Sequence, residues 1–308
     1  MSNHGRTVRI YLADGSPTGI RHAEVVNWTG QAIVCPRTRI GELSNWTELQ
    51  RPGIYILLGE DPALSTPLAY VGEAENVWTR LKQHVAFKDF WDQAVFFTSK
   101  DENLTKAHVK YLESRVVELA LEAKRIKLEN GASPTMSNLP RPDRDAMEAF
   151  LEPARILLGS LGFNFLEPIR KHKGGEASAS NNGPLSHITL YLKVEKRGIL
   201  AEGTVTDEGF VVAKGSIAEK TPRESLGAGY VKRRLELIEQ GVLAEFGDHL
   251  KFTRDVLFTS PSAAAAIVCA SPQNGRQCWK DEHGTTLAKV EEKLVGVIGG
   301  AIQVPGPA

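Results

Sequence analysis

Residues 53–58 read Gly-Ile-Tyr-Ile-Leu-Leu, and residues 69–72 read Ala-Tyr-Val-Gly. The first run is apolar and rich in β-branched and aromatic residues, so it predicts a strand. The second lies beyond a loop marked by Asp61-Pro62 and Thr66-Pro67, and it predicts another. Side chains alternate along a strand, which puts Tyr55 on a face with Gly53 and Leu57, and Tyr70 on a face with Gly72. Paired as a hairpin, the two strands project both tyrosines from one side. The glycines are expected to leave room for a bulky ligand near the backbone.

The chemistry accumulates C-terminal to these strands. Asn76 to His84 has helical spacing, with Val77, Leu81 and Val85 on one side and Arg80 and His84, four apart, on the other. Residues 94–98 (AVFFT) predict a third strand. Asn103 is the expected cap of a long helix reaching about Leu128. On that helix Glu113 falls in the row of Val109, Val116 and Ala120, where a carboxylate is costly unless paired or metal-bound. Two phenols, a guanidinium, an imidazole and one carboxylate suit phosphodiester hydrolysis. Arginine matches phosphate in a bidentate fork. A carboxylate can hold Mg²⁺ beside substrate oxygens, and a tyrosine or histidine can orient or deprotonate the attacking water. Each residue alone has a plainer reading, as core aromatic, solvated charge or surface histidine; the ordered set is what points to a site.

Gly53-Ile54-Tyr55, then Tyr70-Val71-Gly72, then Arg80, then Glu113 resembles the GIY-YIG nuclease family over roughly residues 50–140. The resemblance implies a three-stranded antiparallel sheet flanked by helices and metal-dependent cleavage of nucleic acid. It implies Tyr55 as general base, Tyr70 as supporting tyrosine, Arg80 as phosphate clamp and Glu113 as ligand of a single Mg²⁺ or Mn²⁺. It also implies an asparagine after the long helix, for which Asn130 fits best and Asn138 is the alternative. Gly53 and Gly72 join the expected substrate-binding residues. Val71 stands where the family usually has Ile, a conservative packing change. Glu73 stands where a neutral or basic residue suits a phosphate path better.

The rest of the chain frames this block. Residues 1–50 read as a small β extension packed against the block C-terminal to it, and 51–170 as the nuclease-like domain. Asp145 to Leu161 predicts a helix interrupted at Pro153. Residues 171–185 (KHKGGEASASNNGPL) have a linker's composition, and 186–295 predict a separate α+β domain ending in a frayed tail, 296–308. That second domain carries Gly209-Phe210, Lys214-Gly215-Ser216, Leu257-Phe258-Thr259-Ser260-Pro261 and Cys278-Trp279-Lys280. These motifs are similar to an uncharacterised domain found after GIY-YIG nucleases and to the restriction-enzyme and adenine-methylase-associated domain. The similarity implies an accessory, DNA-reading role. Trp279 and Lys280 are candidates to touch a base and a phosphate, with Lys232, Arg233 and Arg234 as a basic cluster on a helix. Ser260 and Pro261 predict a helix start.

Composition sets the outer limits. Apolar residues make up 42% and charged residues 24% of 308, enough for real cores. The balance of 37 Lys+Arg against 37 Asp+Glu argues against a broad basic footprint, so nucleic-acid contact is expected to be local. Three cysteines without a C-x-x-C pair exclude a zinc framework of that type and fit a reducing, cytoplasmic setting. The N-terminus carries no apolar run of the signal-peptide kind, and a membrane partner is not expected. The fold class expected is α+β. The function expected is a Mg²⁺-dependent DNA endonuclease. The alternative is a nucleic-acid-binding or modified-base-reading protein on a catalytically silent nuclease fold.

Overall fold

The structure is a computed structural model; it describes residues 4–61, 66–131, 137–168, 185 and 188–300, without the side chains of 84–87 and 294–300. The chain forms two compact units, Met1–Pro168 and Ile169–Ala308. Both mix helix and strand, so the α+β class holds for each.

The N-terminal unit is built on strands β1 (Val8–Leu12), β2 (Arg21–Val25), β3 (Gly30–Pro36), β4 (Gly53–Glu60), β5 (Pro67–Ala74), β6 (Trp91–Ser99) and β7 (Lys127–Leu128). They form one sheet in the order β1-β2-β3-β6-β4-β5-β7. Each pair is antiparallel except β5 with β7. The expectation of a three-stranded sheet is therefore corrected to seven strands. The N-terminal strands join the same sheet, since β3 pairs with β6 from Gly30 opposite Ser99 to Pro36 opposite Gln93. That pairing buries the second edge of the motif strands and gives the apolar run of β3 a partner.

Helices α1 (Val77–Phe87), α2 (Lys106–Ala123) and α3 (Arg141–Ser160) complete the unit. Strand β4 is buried on both faces, which is why it reads as a continuous apolar run. Ile54, Ile56 and Leu58 pack with Val109, Leu112 and Leu157. Tyr55 and Leu57 pack on the other side with Val77 and Leu81. Helix α2 is capped by Thr105 rather than by Asn103. The Thr105 hydroxyl accepts from His108 N and the His108 ring accepts from Thr105 N, a reciprocal cap. It ends at Ala123 because Lys124 turns left-handed, with φ 54°. Helix α3 runs through Pro153, with Leu151, Ala154 and Leu157 buried around it, so the expected interruption does not occur.

The C-terminal unit contains β8 (Thr189–Val194), β9 (Ile199–Thr206), β10 (Gly209–Val212), β11 (Ile217–Glu219), α4 (Ala228–Glu239), β12 (Leu243–Phe246), β13 (His249–Phe252), β14 (Val256–Phe258), α5 (Pro261–Cys269), α6 (Gly275–Cys278) and α7 (Leu287–Gly300). Four strands form a sheet in the order β14-β10-β9-β8, and three form another in the order β11-β13-β12. Ser260 caps α5 by accepting from Ala263 N at 3.1 Å, with Pro261 at the first helical position, as the sequence predicts. Residues 171–184 lie outside the described residues, so the expected linker does too, apart from Leu185. Helix α7 carries regular structure to Gly300, into the stretch expected to be frayed; 301–308 lie outside the described residues. Among the described residues no helix is long and apolar enough to cross a membrane.

Candidate active site

The register of β4 on β5 sets the site. Tyr55 lies directly opposite Gly72, and Leu57 lies opposite Tyr70. Since Gly72 presents no side chain, the Tyr55 ring folds across it. A methyl on Gly72 would collide with the Tyr55 hydroxyl and ring. The two tyrosine rings stand 6.2 Å apart at 42°. Gly53 is equally closed: a methyl there would meet the Phe97 carbonyl and the Thr98 side chain. Both glycines thus make room for the protein's own atoms. The expectation that they make room for a substrate is corrected.

Tyr55 is fully buried. Burial first, and then the neighbouring Tyr70, push its phenol well above the usual range, while the Arg80 guanidinium acts in the opposite direction. Tyr70 is half-buried, and the Lys88 ammonium sits 4.1 Å from its ring centre while pairing with Glu129 at 2.7 Å. Arg80 projects from the exposed side of α1, opposite buried Val77 and Leu81, and donates to Gln83 at 3.0 Å. His84 follows one turn later on α1, and its side chain lies outside those described.

Glu113 comes from α2, which packs on β5. Its carboxyl is pushed up to about 7, by burial first and next by the Glu73 carboxylate; Lys106, Lys110 and Arg80 pull it back. No hydrogen bond or ion pair engages Glu113 among the described residues. Arg80 therefore acts on both Tyr55 and Glu113, which ties helix α1, helix α2 and the paired strands into one locality. Glu73, the departure from the family pattern, does not face this ground as a bare charge. Lys106 holds both of its oxygens at 2.8 Å.

Asn130 is turned to the backbone of β5. Its carbonyl accepts from Val71 N at 3.1 Å, and its amide donates to Val71 O at 2.8 Å. It continues the short β7 pairing and pins the strand between Tyr70 and Gly72. Asn138 is exposed. Lys88, Lys106 and the Glu73 pair were not singled out by the sequence. Lys106 had a signal, since it stands seven residues before Glu113 on the same helix; Lys88, in the connection after α1, had none.

The half-buried carboxylate of Glu113 makes no direct ion pair among the described residues, and burial and Glu73 outweigh the pull of Lys106, Lys110 and Arg80. A divalent cation would supply a direct counter-charge. Mg²⁺ keeps several waters and shares substrate oxygens, so one protein carboxylate is a sufficient anchor. Among the described residues no cluster of three His, Cys, Asp or Glu forms a ready-made cage. Cysteine chemistry fits poorly here: burial pushes the Cys35 thiol up to about 12 and the Cys269 thiol up to about 11.

The C-terminal candidates scatter. Trp279 is fully buried, 4.6 Å from the Phe210 ring, and its indole donates to Pro261 O at 3.0 Å. It offers no face to a base, and the expectation of stacking is corrected. Lys280 is exposed, with its backbone bridged to Tyr191. Lys232 and Arg233 are exposed on α4, and Arg233 pairs with Glu236 at 3.0 Å. Arg234, next in line, is buried. Its guanidinium donates to the carbonyls of Ile267, Glu219 and Lys220 and fastens α4 to α5 and the end of β11.

With this geometry in view, comparison with known proteins adds one finding. Residues 190–291 match a family model described as a domain of unknown function (DUF4357). The match lies wholly within the C-terminal unit and inside the 186–295 stretch expected to be a separate domain. No curated protein and no solved structure matches the chain.

Proposed function

We propose that the N-terminal unit is a divalent-metal-dependent endonuclease site of the GIY-YIG type, hydrolysing phosphodiester bonds in DNA, and that the C-terminal unit serves substrate recognition. The observation that carries this reading is the β4–β5 register. It sets Tyr55 over Gly72 beside Tyr70, where Arg80 from α1 acts on both Tyr55 and Glu113.

The roles follow from the chemistry. Arg80, exposed and planar, grips the scissile phosphate through two N–H donors. Glu113 would hold a Mg²⁺ or Mn²⁺ ion, which supplies Lewis-acid stabilisation of the phosphate charge when bound. The Tyr55 hydroxyl orients the attacking water. Its raised pKa keeps it protonated until positive charge gathers beside it, and Arg80 already acts in that sense. Tyr70 fixes the position of the Tyr55 ring, and Asn130 fixes the strand that bears Tyr70 and Gly72. His84, one turn from Arg80, is the further group able to handle a proton.

The full burial of Tyr55 favours a second reading: a nucleic-acid binder, including a reader of modified bases, on a silent nuclease fold. The two readings separate in one assay. The enzyme reading expects purified protein to nick supercoiled DNA with Mg²⁺ or Mn²⁺ and to stop on chelation. Salt-dependent binding without turnover under any divalent metal would establish the second reading instead.

A further inference from the structure

In the C-terminal unit a cavity of about 550 Å³ opens between the first turn of α4, the end of β14 and α5. That is within the range of about 300–1,000 Å³ typical of small-molecule sites. Its floor is apolar, made by Leu257, Phe258, Ala263 and Ile267. Tyr230 supplies an aromatic wall and is 39% exposed, so its ring face is open to a ligand. Arg233, three residues further along α4 and on the same face, brings the one charge among the lining residues. Its partner Glu236 is an i,i+3 neighbour on the same helix, and such a pair is weak where water reaches it.

Two glycines on the rim have no packing reason to be glycine. A methyl on Gly229 would meet nothing within 4 Å, and one on Gly227 would meet only the edge of Tyr230 at 3.9 Å. Neither residue adopts a positive φ. Gly229, the second residue of α4, leaves bare backbone on this rim. The space beside Tyr230 is open at this position.

We propose that this cavity binds one nucleotide unit, with the base stacked on Tyr230 over the apolar floor and the phosphate on Arg233. A flat apolar body joined to an anion is the shape and charge that this lining complements. The Thr259 hydroxyl is the lone polar side chain besides Tyr230 and Arg233 among the lining residues, so recognition is by stacking and charge and tolerates any base. The inference does not rest on hydrolysis at Tyr55, and its test excludes metal.

The test measures binding of a labelled single-stranded DNA oligonucleotide to the full chain in EDTA, with dAMP as competitor. Gly229→Leu fills the opening with a good helix former, and Tyr230→Ala removes the stacking wall. Each is expected to weaken binding about ten-fold or more, with unchanged circular dichroism. Arg233→Gln, on the surface, is expected to weaken binding and to reduce the log–log salt slope by about 0.7. Displacement by dAMP would show that a free nucleotide suffices. Oligonucleotide binding that dAMP cannot displace, yet still sensitive to the three variants, would assign the cavity to a nucleotide within a strand. No binding by the wild type, unchanged affinity in the variants, or equal displacement by an aliphatic carboxylate such as octanoate would each overturn the proposal.

Discussion

In the N-terminal unit Gly72 lies beneath the ring of Tyr55, and no space remains between them. In the C-terminal unit Gly229 stands next to Tyr230 and faces open space, and the tyrosine is partly exposed. The same two residue types do opposite things. In the first pair glycine admits the protein's own phenol and holds it in place. In the second it leaves a gap that nothing among the described residues fills. The arginines divide the other way: Arg80 of the N-terminal unit is exposed beside the candidate site, while Arg234 of the C-terminal unit is buried under three carbonyls. A residue type at a suggestive spacing therefore does not say whether it serves a ligand. What its atoms touch decides.

Substitutions can strain this contrast at several points. The largest stability effect is expected from Arg234→Ala, which removes a buried guanidinium and leaves the buried Ile267 carbonyl without its donor. Urea unfolding should show a loss of about 3–5 kcal/mol. A loss below about 1 kcal/mol would mean that the fastening of α4 is dispensable. Gly72→Ala comes next. Crowding the Tyr55 phenol should cost about 1–3 kcal/mol and displace the ring, lowering any cleavage activity as well. If Gly72→Ala is tolerated, the closed pair is not closed.

Glu113→Gln is third in size. The native carboxyl titrates near 7 and the unfolded one near its ordinary value, so between those values the folded state holds the extra proton. Stability in metal-free buffer should therefore fall as pH rises from about 4.5 to 7 and then level off. Glu113→Gln should remove that part of the slope and be more stable above pH 7 by roughly 1–2 kcal/mol, allowing for partial solvent screening. Thermal melts across pH in EDTA check this; an unchanged slope would mean that Glu113 is already satisfied. The smallest effect is the mirror image of Gly72: Gly229→Ala should stabilise by about 1 kcal/mol, since helix propensity improves and no atom is in the way. Chemical denaturation measures it, and a destabilised variant would mean that the gap beside Tyr230 is not open.

Much of the local structure is legible in the amino-acid sequence. The apolar run at 53–58, the Ser260-Pro261 helix start and the exposed placement of Arg80 opposite Val77 and Leu81 follow from alternation, capping and helical spacing, which are short-range rules. The seven-stranded sheet is not legible, because Gly30 meets Ser99 across a long stretch of chain and nothing local announces that partner. The burial of Trp279 escapes the sequence for a similar reason: whether an indole faces Phe210 or solvent depends on a strand far away along the chain. Around the site, the order of Tyr55, Tyr70, Arg80 and Glu113 is visible, but the filling of Gly53 and Gly72 by side chains and backbone is not. Nor is the turn of Asn130 onto Val71, which depends on β7 lying parallel to β5.

The central claim is that Tyr55, Tyr70, Arg80 and Glu113 work as one phosphodiester-cleaving site. The most direct measurement is the rate of plasmid nicking in Mg²⁺ by wild type, Arg80→Ala and Glu113→Ala prepared identically, with melting temperatures recorded alongside. Metal-dependent nicking by the wild type is predicted, with each substitution reducing the rate by about 10²-fold or more while the protein stays folded. Equal rates in all three preparations would contradict the claim and trace the cleavage to something other than this site.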